Sequence, residues 1–223
     1  VRIDQILEDV RRIMATIGVF SFDEILSVDE DVLPRRTIRT IIERANATFS
    51  RHFPLYYVQI LPLNNQQQFT FKDNFDLYIA GQLEPMYITL VPDAVVGVSN
   101  ARFPHAKYNF HQFHYQPPTL FFRARKSGRF YAKTLCKYRL YYDNNNVAND
   151  AIYFIDKATP VYDIFIKQVV YDFAFFIIMM KNNYQITALP IEVFAGLEEL
   201  VGELRNELET IYNENPRNYL IMY

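Results

Sequence analysis

Three of the chain's four histidines fall within PHAKYNFHQFHYQPP, residues 104–118: His105, His111 and His114. Imidazoles ligate zinc and move protons near neutral pH. The three-residue spacing of His111 and His114 would place both on one face of a helix, and His105 could supply a third ligand. The surroundings argue against a metal. No HExxH is present, and no carboxylate stands nearby to orient an imidazole. Tyr108, Phe110, Phe113 and Tyr115 interleave with the histidines, so the stretch reads as a loop packed down by its aromatic rings. Contact with a partner is a second use for it. No metal and no cofactor are expected.

Other reactive side chains are no better placed. Cys136, the single cysteine, lies in KTLCKYRL, a predicted strand where it reads as an alternating neighbour rather than a nucleophile. Alone it can form no disulfide within the chain. Asp163 and Asp172 lie nine apart on one predicted helix and are expected at its ends or in solvent, unpaired. There is no GxSxG, GxGxxG or GxxxxGK[ST] motif, and the chain has only six glycines to build such turns. The sequence therefore reads as a non-enzyme.

Charge is the more informative pattern. The chain has 223 residues and a net charge of −2. Residues 94–142 contain no Asp or Glu, yet carry Arg102, Lys107, Arg123, Arg125, Lys126, Arg129, Lys133, Lys137 and Arg139. From residue 161 on, the balance reverses into a glutamate-rich end. The segment RARKSGRFYAK, residues 123–133, is the densest basic stretch, and Ser127-Gly128 marks it as the tip of a hairpin. Three readings stand: a nucleic-acid contact, with Arg and Lys on phosphates and Phe130 or Tyr131 stacked on bases; a solvated loop; and a basic arm that meets the acidic helix of a neighbouring copy. On the third reading Arg123, Arg125, Lys126 and Arg129 dock against Glu198, Glu203 and Glu207.

The elements follow from periodicity. Residues 2–17 repeat apolar positions at helical spacing, from Ile3 through Ile17. Ser21 to Glu24 has the form of a capping box that opens a short helix. Pro34 starts a further helix to about residue 51, because proline is tolerated in a first turn. LYYVQILPL then alternates as a strand, and residues 64–68 read as a polar turn. Short strands are expected at 69–72, 77–80, 87–91 and 94–98. Residues 99–117 have no clean period. A hairpin of 119–125 with 129–142 follows, then an exposed Asn-rich turn. Residues 161–182 form a helix apolar on nearly every side, and 190–213 an amphipathic one. NYLIMY reads as a terminal strand. Such segregated elements give an α+β fold, with a helical lobe at 1–53 and a β-rich core with C-terminal helices at 54–223.

No membrane span is expected. The most apolar run, FAFFIIMM, is eight residues long between Asp172 and Lys181, where a span needs about 20. Residues 1–20 lack the apolar run of a signal peptide, being broken by Asp4, Glu8, Asp9, Arg11 and Arg12.

Three segments carry a resemblance. SFDEILSVDEDVLPRRTIRTIIERANATFSRHFP leads helices into the first strand. YQPPTLFF closes the aromatic loop. VYDIFIKQVVYDFAFFIIMM precedes LPIEVFAGLEELVGELRNELETIY. In this order they resemble structural proteins of tailed-bacteriophage virions, of the neck, head–tail connector or tail-associated kind. That resemblance implies a non-enzymatic subunit, located in the virion and assembled in the host cytoplasm. It further implies that the subunit forms a homo-oligomeric ring and contacts other virion proteins. Tyr219, Leu220 and Ile221 would extend a neighbour's sheet by main-chain hydrogen bonds, or pair within their own. Nucleic-acid binding by residues 123–133 is the alternative reading.

Overall fold

The computed structural model describes residues 1–16, 35–82, 88–100, 111–182 and 191–214. It is mixed α+β, with helices first, an antiparallel sheet in the middle and two long helices last. The short helix expected at Ser21, and the terminal strand with Tyr219, Leu220 and Ile221, lie outside the described residues. The described residues divide into two units, one of Val1–Phe53 together with residues 138–214, the other of Pro54–Lys137.

The helical unit is organised around one element. Helices α1 (Ile3–Thr16) and α2 (Arg35–His52) each bury a single stripe: Ile3, Ile6, Val10 and Met14 on α1, and Ile41, Ile42, Ala45 and Phe49 on α2. The helix we label α4 (Pro160–Asn182) is buried around most of its circumference, from Val161 and Phe165 through Val169, Phe173 and Ile177. It packs against α1, α2 and α5 (Ile191–Glu214). Phe49 and Phe165 meet edge to face at 5.3 Å. Each such fully buried apolar side chain contributes about 1.5–3 kcal/mol. On α5 the buried stripe is Phe194, Leu197, Leu200, Leu204 and Leu208. None of the described helices is long and apolar enough to cross a membrane.

Asp172 corrects an expectation. It is not solvated but buried in mid-helix, where its carboxylate accepts a hydrogen bond from Gln168 Nε2 at 2.8 Å and pairs with Arg44 Nε at 3.3 Å. Asp163 is exposed. A two-stranded sheet of β5 (Arg139–Tyr141) and β6 (Ala151–Tyr153) completes this unit. The turn before β6 is held by Asp143, which accepts hydrogen bonds from the amides of Asn145 and Asn146.

The second unit is a four-stranded antiparallel sheet built on one long central strand. β4 (Thr119–Cys136) pairs with β1 (Leu55–Thr70) along one edge, and with β2 (Ala94–Ser99) and β3 (Phe113–Gln116) along the other. Alternation sets its two faces. Leu120, Phe122, Phe130 and Ala132 of β4 join Leu61, Leu63, Phe71 and Val98 in the core. Tyr115 packs on that cluster and donates from its hydroxyl to the Pro92 carbonyl at 2.6 Å. Burial pushes that phenol up to about 12, so it remains a donor.

Several sequence expectations fail here for local reasons. Residues 119–125 and 129–142 are not a hairpin. One strand runs through Ser127-Gly128 and ends at Cys136. The Ser-Gly pair marks a bulge, with Gly128 at φ +112°, a conformation that side chains resist. The polar residues 64–68 form no terminal turn; they continue β1, with the register shifting on both sides of Gln66. Residues 77–79 belong to a short helix, α3 (Phe75–Ile79), with Ala80 as its C-cap, and 113–116 are β3 rather than loop. The strand expected at 87–91 is replaced, over its described part, by an extended segment tied to a side chain. Buried Gln59 donates to the Leu90 carbonyl at 2.7 Å and accepts from the Leu90 amide at 3.1 Å. One side-chain amide thus does what a neighbouring strand would do.

Candidate functional site

The structure rearranges the candidate basic residues. They sit not on a hairpin tip but along the central strand of the sheet. Arg123, Arg125 and Arg129 are exposed, as is Ala124 between the first two, where the pairing with β1 is interrupted. Lys126 is half-buried, with its Nζ 3.4 Å from His111 Nδ1. Arg123 donates to Gln112 Oε1 at 3.1 Å. Among the described residues no carboxylate pairs with Arg123, Arg125 or Arg129. The four strands together hold five cations (these four and Lys133) and not one Asp or Glu.

Apolar surface accompanies the charge, and the sequence reading missed it. Ile60 on β1 is 48% exposed and Val96 on β2 is 52% exposed. Ile60 lies opposite Tyr131, and Lys133 stands 5.2 Å over the ring of Tyr56. A β2 bulge between Val95 and Gly97 turns Val96 outward. No sequence period could have marked it, because the bulge interrupts the alternation.

At the other end of the face, Phe121 is 37% exposed and is backed by His114 at 6.4 Å between ring centroids. Here the two long strands part. Gln66 pairs with Lys126 and Gln68 with Phe121, so the single residue Gln67 faces the stretch from Phe122 to Arg125. The extra β4 residues open a shallow recess lined by Asn65, Gln67, Gln68, Phe121, Phe122 and Arg125. Ties on either side hold it open: the Asn65 amide donates to Ser127 Oγ at 2.9 Å, and the Thr70 and Thr119 hydroxyls bond at 3.1 Å.

The acidic candidates lie on α5. Glu198 and Glu203 are exposed and form no ion pair among the described residues. Glu207 is also exposed but is engaged within its own unit by Lys167 of α4. Glu199 belongs with the free pair, and Glu209 is held by Arg205 at 2.9 Å.

The described histidines form no metal-ligating cluster. His105 lies outside the described residues. His111 precedes β3 and His114 lies on it, so neither occupies a helix face. His111 packs edge-on against Phe130 at 5.1 Å. Burial, together with the nearby Lys126 charge, lowers its pKa, which favours the neutral ring as an acceptor for that lysine. No group of three metal-ligating side chains occurs among the described residues. Cys136 is buried at the end of β4, 3.8 Å from Thr134 Oγ1. No protein-family model matches the chain, and no curated protein matches it.

Proposed function

We propose that this protein is a non-enzymatic structural subunit of a tailed-phage virion, of the neck or head–tail connector kind. It assembles head to tail into a ring and contacts other virion proteins. The placement in a virion rests on the resemblance of its sequence segments. Self-assembly rests on one observation: a single chain exposes two faces of opposite character, a carboxylate-free basic sheet and a helix with unpaired glutamates. Contacts in a ring are heterologous, so one face must complement a different one. A two-fold contact through either face would set like charges together.

Within the sheet, the end that holds Arg129, Lys133, Ile60 and Val96 suits a protein partner best, because it combines apolar area with charge. Glu198 and Glu203 of the next copy supply the counter-charge. Arg123 and Arg125 lie on the same strand as Arg129 and Lys133. Among the described residues, Asp172 stands in an ion pair, His111 packs against Lys126 and Phe130, and Cys136 is buried.

The test is native mass of the purified protein at low and high salt. A discrete cyclic multimer that loosens as salt rises is the expected result, since exposed charge pairs are screened. A dimer that closes without higher forms, or a salt-insensitive monomer, would refute head-to-tail docking through these faces.

A further inference from the structure

The recess beside Phe121 is not explained by assembly. Phe121 is 37% exposed, and the strands part beside it at a fixed place. The side chains around it are of two chemical kinds. Asn65, Gln67 and Gln68 are amides, each offering donors and acceptors together. Arg125 is a cation without an ion-pair partner among the described residues, and Arg123 and Arg129 continue its charge along the strand.

We propose that this recess is a base-stacking subsite for single-stranded nucleic acid. A base lies on the open face of Phe121, the amides meet its edge, and Arg125 and Arg123 meet the adjoining phosphates. His114 flanks Phe121 from β3, and the recess opens on the β1 side, where Gln68 is the cross-strand neighbour and from which a ligand ring would reach Phe121. Stacking of bases on aromatic side chains beside a basic track is the general means of holding a single strand. Acidic protein is the weaker occupant here. Carboxylates need only donors, so neither the flat ring nor the amide acceptors would have a purpose. A duplex is weaker still, because its bases are already stacked on one another.

Fluorescence anisotropy tests this with the full chain and a short labelled oligothymidylate in about 50 mM salt. The wild type binds. Phe121→Ala lowers affinity about tenfold without changing the dependence on salt, and Phe121→Trp restores it. Arg125→Gln reduces the slope of log affinity against log salt by about 0.7, the value for one phosphate contact on a single strand. Should Phe121→Ala melt early, Phe121→Leu keeps an apolar contact with His114, removes the flat ring and carries the same expectation. Absence of binding would overturn the proposal, as would full affinity in Phe121→Ala and Phe121→Leu or equal affinity for a duplex of the same sequence. Binding of polyglutamate but not of the oligonucleotide would assign the face to an acidic protein and overturn it too. Assembly is read separately by native mass, and Phe121→Ala leaves the Ile60, Val96 and Arg129 end of the face intact.

Discussion

Asp172 gives the sharpest test of how the helical unit is held together. Its side chain is 3% exposed, whereas that of its ion-pair partner Arg44 is 63% exposed. Gln168 Nε2 donates to the carboxylate, and the Gln168 carbonyl oxygen accepts from the Tyr212 hydroxyl at 2.7 Å. This chain of contacts joins α2, α4 and α5. Burial raises the Asp172 pKa, and the Gln168 hydrogen bond and the Arg44 charge only partly offset it. The native state therefore binds this proton more tightly than the unfolded chain does. The stability linked to it is fully present below the ordinary carboxylate range and is lost as pH rises through the folded value. At pH 7 the ionised group is a liability. Asp172→Asn retains an acceptor for Gln168 and removes the buried charge. The attraction it forfeits is to a solvated guanidinium, about 0–1 kcal/mol. We expect Asp172→Asn to match or exceed wild-type stability at pH 7 by up to about 1 kcal/mol, and to lose that advantage near pH 4. Asp172→Ala strands the Gln168 amide and should cost about 1–3 kcal/mol at both pH values. Urea unfolding followed by helical circular dichroism at each pH measures this. A loss above about 2 kcal/mol for Asp172→Asn at pH 7, absent at pH 4, would show that the Arg44 pair outweighs burial and refute the reasoning.

Asp9 should behave with the opposite sign. Burial alone would raise its pKa, but hydrogen bonds from Lys157 at 2.8 Å and Tyr162 at 2.7 Å, with the Lys157 and Arg12 charges, lower it overall. Asp9→Asn should therefore cost about 1–2 kcal/mol at pH 7, and the cost should shrink as the pH is lowered through the depressed pKa in the same denaturation series. Gln59→Leu removes both bonds to Leu90 and leaves a buried amide and carbonyl unpaired. A loss of about 1–3 kcal/mol is expected, with faster amide exchange at Leu90, and unchanged exchange would refute the strand-like role of Gln59. Arg129→Glu should weaken assembly, and Arg129→Glu combined with Glu203→Lys should recover part of it, as read by native mass. Equal assembly of wild type and both variants would remove this pair from the docking surface.

The helices were legible because each writes its own period. Ile3, Ile6, Val10 and Met14 announce α1, and the near-continuous apolar surface of residues 161–182 announces a buried helix. The sheet was not legible, because its governing facts are pairings. Ser127-Gly128 has the composition of a turn, and only the presence of β1 along both halves shows that the strand continues. Gln59 reads as a polar break in LYYVQILPL, yet it is the residue that holds Leu90. Asp172 reads as a solvated charge because sequence spacing cannot show Arg44, 128 positions earlier, reaching across from another helix. The charge asymmetry was visible at once. Its division into an exposed set, Arg123, Arg125 and Arg129, and a half-buried Lys126 depends on a strand whose course had been misread.

That correction changes what the basic residues can do. A hairpin tip is a mobile arm that reaches for its partner and loses conformational entropy when it is fixed. A strand paired on both edges at its two ends, and held to β1 at Lys126, Gly128 and Arg129 between them, has lost more of that entropy in folding than a free tip, although Arg123 and Arg125 themselves lie where neither edge is paired. A partner therefore gains most from these cations when its own charges match where the strand holds them. Recognition thus shifts from flexible attraction toward geometric selection. Both the neighbouring subunit's α5, with glutamates at fixed helical positions, and a single strand, with phosphates at regular intervals, can meet that demand. The apolar residues at one end and the open ring at the other are what tell them apart. Ile60 and Val96 are satisfied only by a partner that brings apolar area, Phe121 only by one that brings a flat ring. Substitutions at the two ends should accordingly separate the two activities, whereas substitutions among the arginines should disturb both.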